Sequence, residues 1–148
     1  MLSVLLLSGC SFGKGKPEQV GKPSTAPGEG IEIEDRVSKL SKQFGVSFSD
    51  SVKKAVLNPV DGSPSSGLAT LEDTKGSQLI TILANLPELT KKEKYSAQLI
   101  GNDKPIMLGN LLIAKGGWMI ERKVNIDPSA YKGIEVLKDK QVVLKGSF

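Results

Sequence analysis

Tyr95-Ser96-Ala97-Gln98-Leu99-Ile100 sets Tyr95, Ala97 and Leu99 on one side of an extended chain and Ser96 and Gln98 on the other. A strand with one buried face has this period of two, because successive side chains leave a pleated backbone in opposite directions. Trp118 to Val124 repeats the pattern, with Trp118, Ile120 and Val124 opposed to Met119, Glu121 and Lys123. Further short apolar runs lie at Ala55–Leu57, Gly67–Leu71, Gln78–Leu83, Ile106–Ile113, Ile134–Leu137 and Gln141–Leu144. Turn pairs punctuate them: Asp61-Gly62, Lys75-Gly76, Asn102-Asp103, Gly116-Gly117 and Asp139-Lys140. Strands at intervals of about 8 to 12 residues predict a mainly β domain over residues 53–148, an antiparallel seven- to eight-stranded β-sandwich of immunoglobulin-like kind. Within it Tyr95, Leu99, Trp118 and Tyr131 are the expected structural anchors, Trp118 as a core residue rather than a ligand platform.

Residues 31–52 precede the sandwich and follow a different period. Ile33, Val37, Leu40 and Phe44 recur at steps of four, three and four, which makes one apolar stripe on a helix. Acidic Glu32, Glu34 and Asp35 near its start and Lys42 near its end complement the helix dipole, and Gly45 suits the residue just past its end. A short helix of this kind gains its stability from packing, so docking on the following domain is expected over pairing with a copy of itself. Residues 10–30 are dense in Gly, Pro, Ser and Lys (SFGKGKPEQVGKPSTAPGEG, Ser11–Gly30) and have little to bury, which predicts a disordered tether.

The first nine residues form an uncharged apolar run, Met1 to Leu7, that ends in Ser8 and Gly9 before Cys10. Leu7-Ser8-Gly9-Cys10 resembles the lipobox of a bacterial lipoprotein signal segment. The resemblance implies cleavage between Gly9 and Cys10 and a covalent diacylglycerol, with palmitate among its acyl chains, on the Cys10 sulfur. Two buried acyl chains, at about 0.8 kcal/mol per CH₂, anchor a protein stably where one does not. The expected location is the extracytoplasmic face of the cell membrane. No later stretch approaches the roughly 18 to 20 apolar residues of a spanning helix.

Composition narrows the function classes. Lys plus Arg number 20 against 16 Asp plus Glu, a formal +4 spread along the chain, and aromatic residues are 5%. A nucleic-acid partner is not expected, since such surfaces gather basic residues and add stacking aromatics. One Cys permits no internal disulfide, and the absence of His removes the usual general base and the commonest metal ligand. Ser38-Lys39 and Ser51 with Lys53 sit on polar segments unsuited to a buried Ser-Lys pair. A hydrolase would need two carboxylates facing each other across a cleft, and the candidate pairs, Glu72 with Asp73 and Glu88 with Glu93, sit in turn regions without a cleft signature. Asp61 with Asn58, or Asn102 with Asp103, are loop oxygens that a calcium ion would take, though without EF-hand spacing. The expectation is no enzyme, no catalytic residues, no metal and no cofactor other than the lipid.

One family resemblance spans Gly67 to Phe148. Ser66–Thr70 (SGLAT), Ile82–Ile100 (ILANLPELTKKEKYSAQLI), the Leu108-Gly109 step, Gly116–Trp118, Asp127–Val136 (DPSAYKGIEV) and Val142–Phe148 (VVLKGSF) resemble the extracytoplasmic C-terminal domain of RskA-type anti-sigma-K factors. The resemblance implies a non-catalytic β-sandwich that contacts or senses something outside the membrane. In the family a Trp commonly stands where this chain has Gln98. The family's cytoplasmic sigma-binding helices and spanning helix have no counterpart in these 148 residues. A protein lipidated at Cys10 lies across the membrane from a cytoplasmic sigma factor, so direct sigma-factor binding is not expected. The expected function is a lipid-anchored extracytoplasmic binding or sensory module whose partner is an envelope protein or cell-wall component. The alternatives are a structural accessory of an envelope anti-sigma pathway and a carboxylate-dependent hydrolase. Asp127, Ala130 and Tyr131 also invite comparison with the tyrosine corner of immunoglobulin-like sandwiches, without its spacing.

Overall fold

The computed structural model describes residues 26–148, so the expected signal segment, Gly9, Cys10 and the tether up to residue 25 lie outside the described residues. Helix α1 spans Ala26–Phe44. The strands are β1 Lys53–Pro59, β2 Ser66–Thr74, β3 Ser77–Asn85, β4 Tyr95–Gly101, β5 Ile106–Asn110, β6 Leu112–Ala114, β7 Gly117–Val124, β8 Tyr131–Lys138 and β9 Gln141–Ser147. Glu34–Phe148 is one compact unit, and the described helix residues up to Ile33 fall outside it. No helix among the described residues is long and apolar enough to cross a membrane.

Every strand pairing is antiparallel, in the order β5-β4-β8-β9-β1-β2-β3-β7-β6. Strand β1 belongs to both halves of this ribbon: Lys53–Leu57 pairs with β2, and Asn58 and Pro59 pair with β9. The ribbon folds over at β1, so that β2-β3-β7-β6 faces β5-β4-β8-β9 across one core. Leu57, Ile80 and Ile82 from the first layer meet Leu99, Ile134, Val136 and Leu144 from the second in that core. The sandwich class read from the sequence is the one found, with nine strands among the described residues. A strand shared between layers makes one continuous ribbon, where the immunoglobulin plan has two separate sheets.

The extra strand corrects one expectation. Ile106–Ile113, read as a single strand, is broken at Leu111, and its halves β5 and β6 are the two ends of the sheet order. Leu111 is buried and donates its N–H to the Tyr95 carbonyl at 2.9 Å, pinning the crossing from one layer to the other. Apolar periodicity hides the break because Leu108 on one side and Leu111 at the crossing are both buried in the same core.

Three hairpins have two-residue loops with positive φ at both positions: Lys75-Gly76 (51°, 90°), Lys115-Gly116 (54°, 77°) and Asp139-Lys140 (46°, 77°). These are type I′ turns, whose twist matches that of the flanking strands. The expected pair Gly116-Gly117 is shifted by one residue, and Gly117 opens β7. There it serves close packing: a Cβ at Gly117 would stand 2.6 Å from Phe44 Cε1 and 2.8 Å from the Ala84 carbonyl oxygen.

Helix α1 begins at Ala26, so its first turns take up the end of the segment expected as tether. Pro27 is tolerated there because first-turn N–H groups have no intrahelical acceptor. The helix ends in a Schellman motif: Gly45, with φ 65°, donates to the Lys42 carbonyl at 3.2 Å, and Val46 donates to that of Ser41 at 2.9 Å. Leu40 and Phe44 are buried against Leu68 of β2 and Leu83 of β3, with Val37, Val46, Phe48 and Met119 around them. Ile33, expected in the same stripe, is 49% exposed. Burial of Leu40 and Phe44 contributes about 1.5 to 3 kcal/mol each, which is what holds the helix on the outer face of β2 and β3.

Candidate functional site

Tyr95 and Trp118 close one end of the sandwich from opposite layers, their rings 5.0 Å apart at 74°. The edge-to-face arrangement suits the ring quadrupoles. The Tyr95 hydroxyl donates to the Pro87 carbonyl at 3.0 Å, and burial pushes its ionisation upward. Leu99 is fully buried in the core, and Tyr131 packs half-buried against it with its ring over Gly101. All four expected anchors are therefore packed side chains. Asp127, near Tyr131, is used locally: its Oδ1 accepts from the Ser129 N–H at 2.9 Å and hydroxyl at 2.7 Å, and these bonds lower its pKa.

The carboxylates of chemical interest are similarly engaged or dispersed. Glu93 accepts from the Thr90 N–H at 2.9 Å and meets Lys138 Nζ at 2.9 Å, and those contacts bring its pKa down to about 2. Glu72 and Asp73 are neighbours along β2, so their side chains leave opposite faces. Asn58 and Asp61 do not converge on an ion: Arg36 Nη2 donates to Asn58 Oδ1 at 2.6 Å, whereas Asp61 Oδ1 accepts from the Ser63 N–H at 3.0 Å. Among the described residues no group of three Cys, Asp or Glu side chains gathers as a metal site. Where the family resemblance has a Trp, Gln98 donates through Nε2 to Glu135 Oε2 at 2.8 Å on the outer face of β4 and β8.

Three surface features stand out instead. At the ends of the ribbon, Met107 on β5 is 58% exposed, and Leu112 and Ile113 on β6 are 71% and 75% exposed. Among the described residues these edge strands carry backbone groups with no neighbouring strand in the sheet order. The other two features are clefts, one beside the segment that follows the helix and one along the helix itself. One, of about 340 Å³, lies between the Gly45–Phe48 segment and the outer face of β3 and β7, with Thr81, Met119, Lys115 and Glu121 in its wall. Its cation and carboxylate balance each other, and the Thr81 hydroxyl reaches Glu121 Oε2 at 3.5 Å. The other, of about 310 Å³, lies between the helix side bearing Arg36, Lys39 and Gln43 and the strand ends at Ser66 and Asn85.

The second cleft was not legible in the sequence. Arg36 and Asn58 are separated by a connector and an element boundary, and nothing in their local pattern announces a contact. Arg36, Leu40 and Gln43, at i, i+4 and i+7, share a helix side, and that spacing was the available signal. Comparison with known protein families, with curated proteins and with solved structures gives no match to this chain.

Proposed function

We propose that this chain is a non-catalytic binding module, held by a lipid on Cys10 at the extracytoplasmic face of a cell membrane, and that it works by contact with an envelope protein or cell-wall component. The observation that carries the binding part is the pair of edge strands β5 and β6, with Met107, Leu112 and Ile113 exposed beside open backbone. Such an edge suits addition of an extended segment from a partner, whose backbone supplies the hydrogen bonds and whose apolar side chains cover these residues. The anchor rests on the lipobox resemblance of Leu7 to Cys10.

A structural role in an envelope anti-sigma pathway rests on the resemblance from Gly67 to Phe148, and the sandwich class agrees with what that resemblance implies. A hydrolase has no observation in its favour: Glu93 is committed to Thr90 and Lys138.

Two measurements test the proposal. Metabolic labelling with palmitate in the native host is expected to mark the wild type and leave Cys10→Ser unlabelled; label on both, or on neither, removes the anchor. Affinity capture from the native envelope is expected to retain a partner that Leu112→Lys with Ile113→Lys loses at unchanged melting temperature. Equal capture by the variant removes the edge from the proposal.

A further inference from the structure

The cleft beside Arg36 has a composition that selects its ligand. Its described lining contains two cations, Arg36 and Lys39, and no carboxylate. Gln43 and Asn85 add neutral amides, and Ser66 adds a hydroxyl. Leu40, 5% exposed, gives it an apolar floor. Arg36 is a partly exposed residue whose guanidinium donates to a neutral acceptor, Asn58 Oδ1 at 2.6 Å, in a solvent-exposed contact. That bond fixes the group without cancelling its charge, and it uses one of five N–H donors. Ser66 and Asn85 stand opposite each other in the β2–β3 register, so the strand side of the cleft is as firmly set as the sheet itself.

A guanidinium fork beside an ammonium is a fit for tetrahedral phosphate oxygens, the fork giving directed bonds and the ammonium a point charge. Hydroxyl and amide groups alongside fit the hydroxyls of a small polyol. We propose that the cleft formed by Arg36, Lys39, Gln43, Ser66 and Asn85 binds a phosphate ester of a small polyol, of the size of one glycerol phosphate unit. The unit can come from a soluble ester or from a lipid headgroup. The site is on the helix flank, away from the β5 and β6 edge, and does not depend on the anchor or on that edge.

The test uses the full-length chain and sn-glycerol 3-phosphate, followed by amide chemical shifts. Saturable shifts are expected for residues around Arg36, Ser66 and Asn85, with glycerol producing none. Arg36→Gln and, separately, the exposed Lys39→Gln are each expected to weaken binding about tenfold, the loss of one charge-assisted contact, with the melting temperature of Lys39→Gln unchanged. Phosphatidylcholine vesicles with and without phosphatidylglycerol separate the sources: Arg36-dependent binding to the anionic vesicles supports a headgroup, and binding of the soluble ester alone supports a free or polymeric ester. Equal shifts by glycerol, equal affinity for succinate, or binding undiminished in both variants would overturn the proposal.

Discussion

The two layers of the sandwich are built from different kinds of strand. In β3, Ile80 to Ala84 are buried without interruption, whereas β4 alternates between buried Tyr95, Ala97 and Leu99 and partly exposed Ser96 and Gln98. The difference lies outside the strands. Helix α1 covers the outer face of β2 and β3 through Leu40 and Phe44, so Leu83 is buried outward while Ile82 is buried inward. The layer containing β4 and β8 keeps its outer face in water and fills it with pairs such as Gln98 and Glu135. A continuous apolar run therefore signals a strand covered on both sides, and alternation one covered on a single side.

The largest effect is expected from the core that both layers share. Leu99→Ala removes a fully buried side chain between them and is expected to cost about 3 to 5 kcal/mol in global unfolding, measured by denaturant titration. A loss below about 1 kcal/mol would contradict the shared core. Leu40→Ala acts only on the face that distinguishes the layers. It is expected to cost about 2 kcal/mol, the low end for such a truncation, because Leu40 also borders a cleft open to water. Hydrogen exchange should rise in Glu34–Phe44 while β4 and β8 stay protected. Uniform loss of protection would mean that the helix and both layers unfold as one.

Gly117→Ala probes the same contact from the strand side. The added methyl meets Phe44 and the Ala84 carbonyl, with an expected cost of about 1 kcal/mol, since the ring can turn aside but the backbone cannot. An unchanged melting temperature would show that the helix sits more loosely than its packing indicates. The smallest effect is electrostatic and belongs to the solvated layer. Glu93 has its pKa lowered from 4.5 to about 2, chiefly by the Thr90 N–H and then by Lys138. A lowered carboxylate contributes stability that is complete above its unfolded value of 4.5 and is lost as pH falls through about 2. The stability difference between wild type and Glu93→Gln should thus shrink over that acid range and stay flat above it. Leu40→Ala should leave this pH dependence unaltered.

How far the sequence could be read follows the same division. Tyr95 to Ile100 declared both its conformation and its inward side, and the two-residue turns at Lys75-Gly76 and Asp139-Lys140 marked their hairpins. The helix period was equally plain from Val37 to Phe44, as was its end at Gly45. The break at Leu111 was not, because a strand that changes layers stays apolar throughout. The cleft was invisible for a related reason: Arg36, Ser66 and Asn85 belong to a helix and two strand ends that meet only after the helix docks.

Local backbone preference and hydrophobic period, both written into neighbouring residues, determined the strands, the helix and the mainly β class. The shared strand β1, the parting of β5 from β6 and the gathering of Arg36, Lys39 and Asn85 were decided only in the tertiary structure. They depend on which apolar faces find each other across the chain, and that competition is between distant segments whose local sequences carry no record of its outcome.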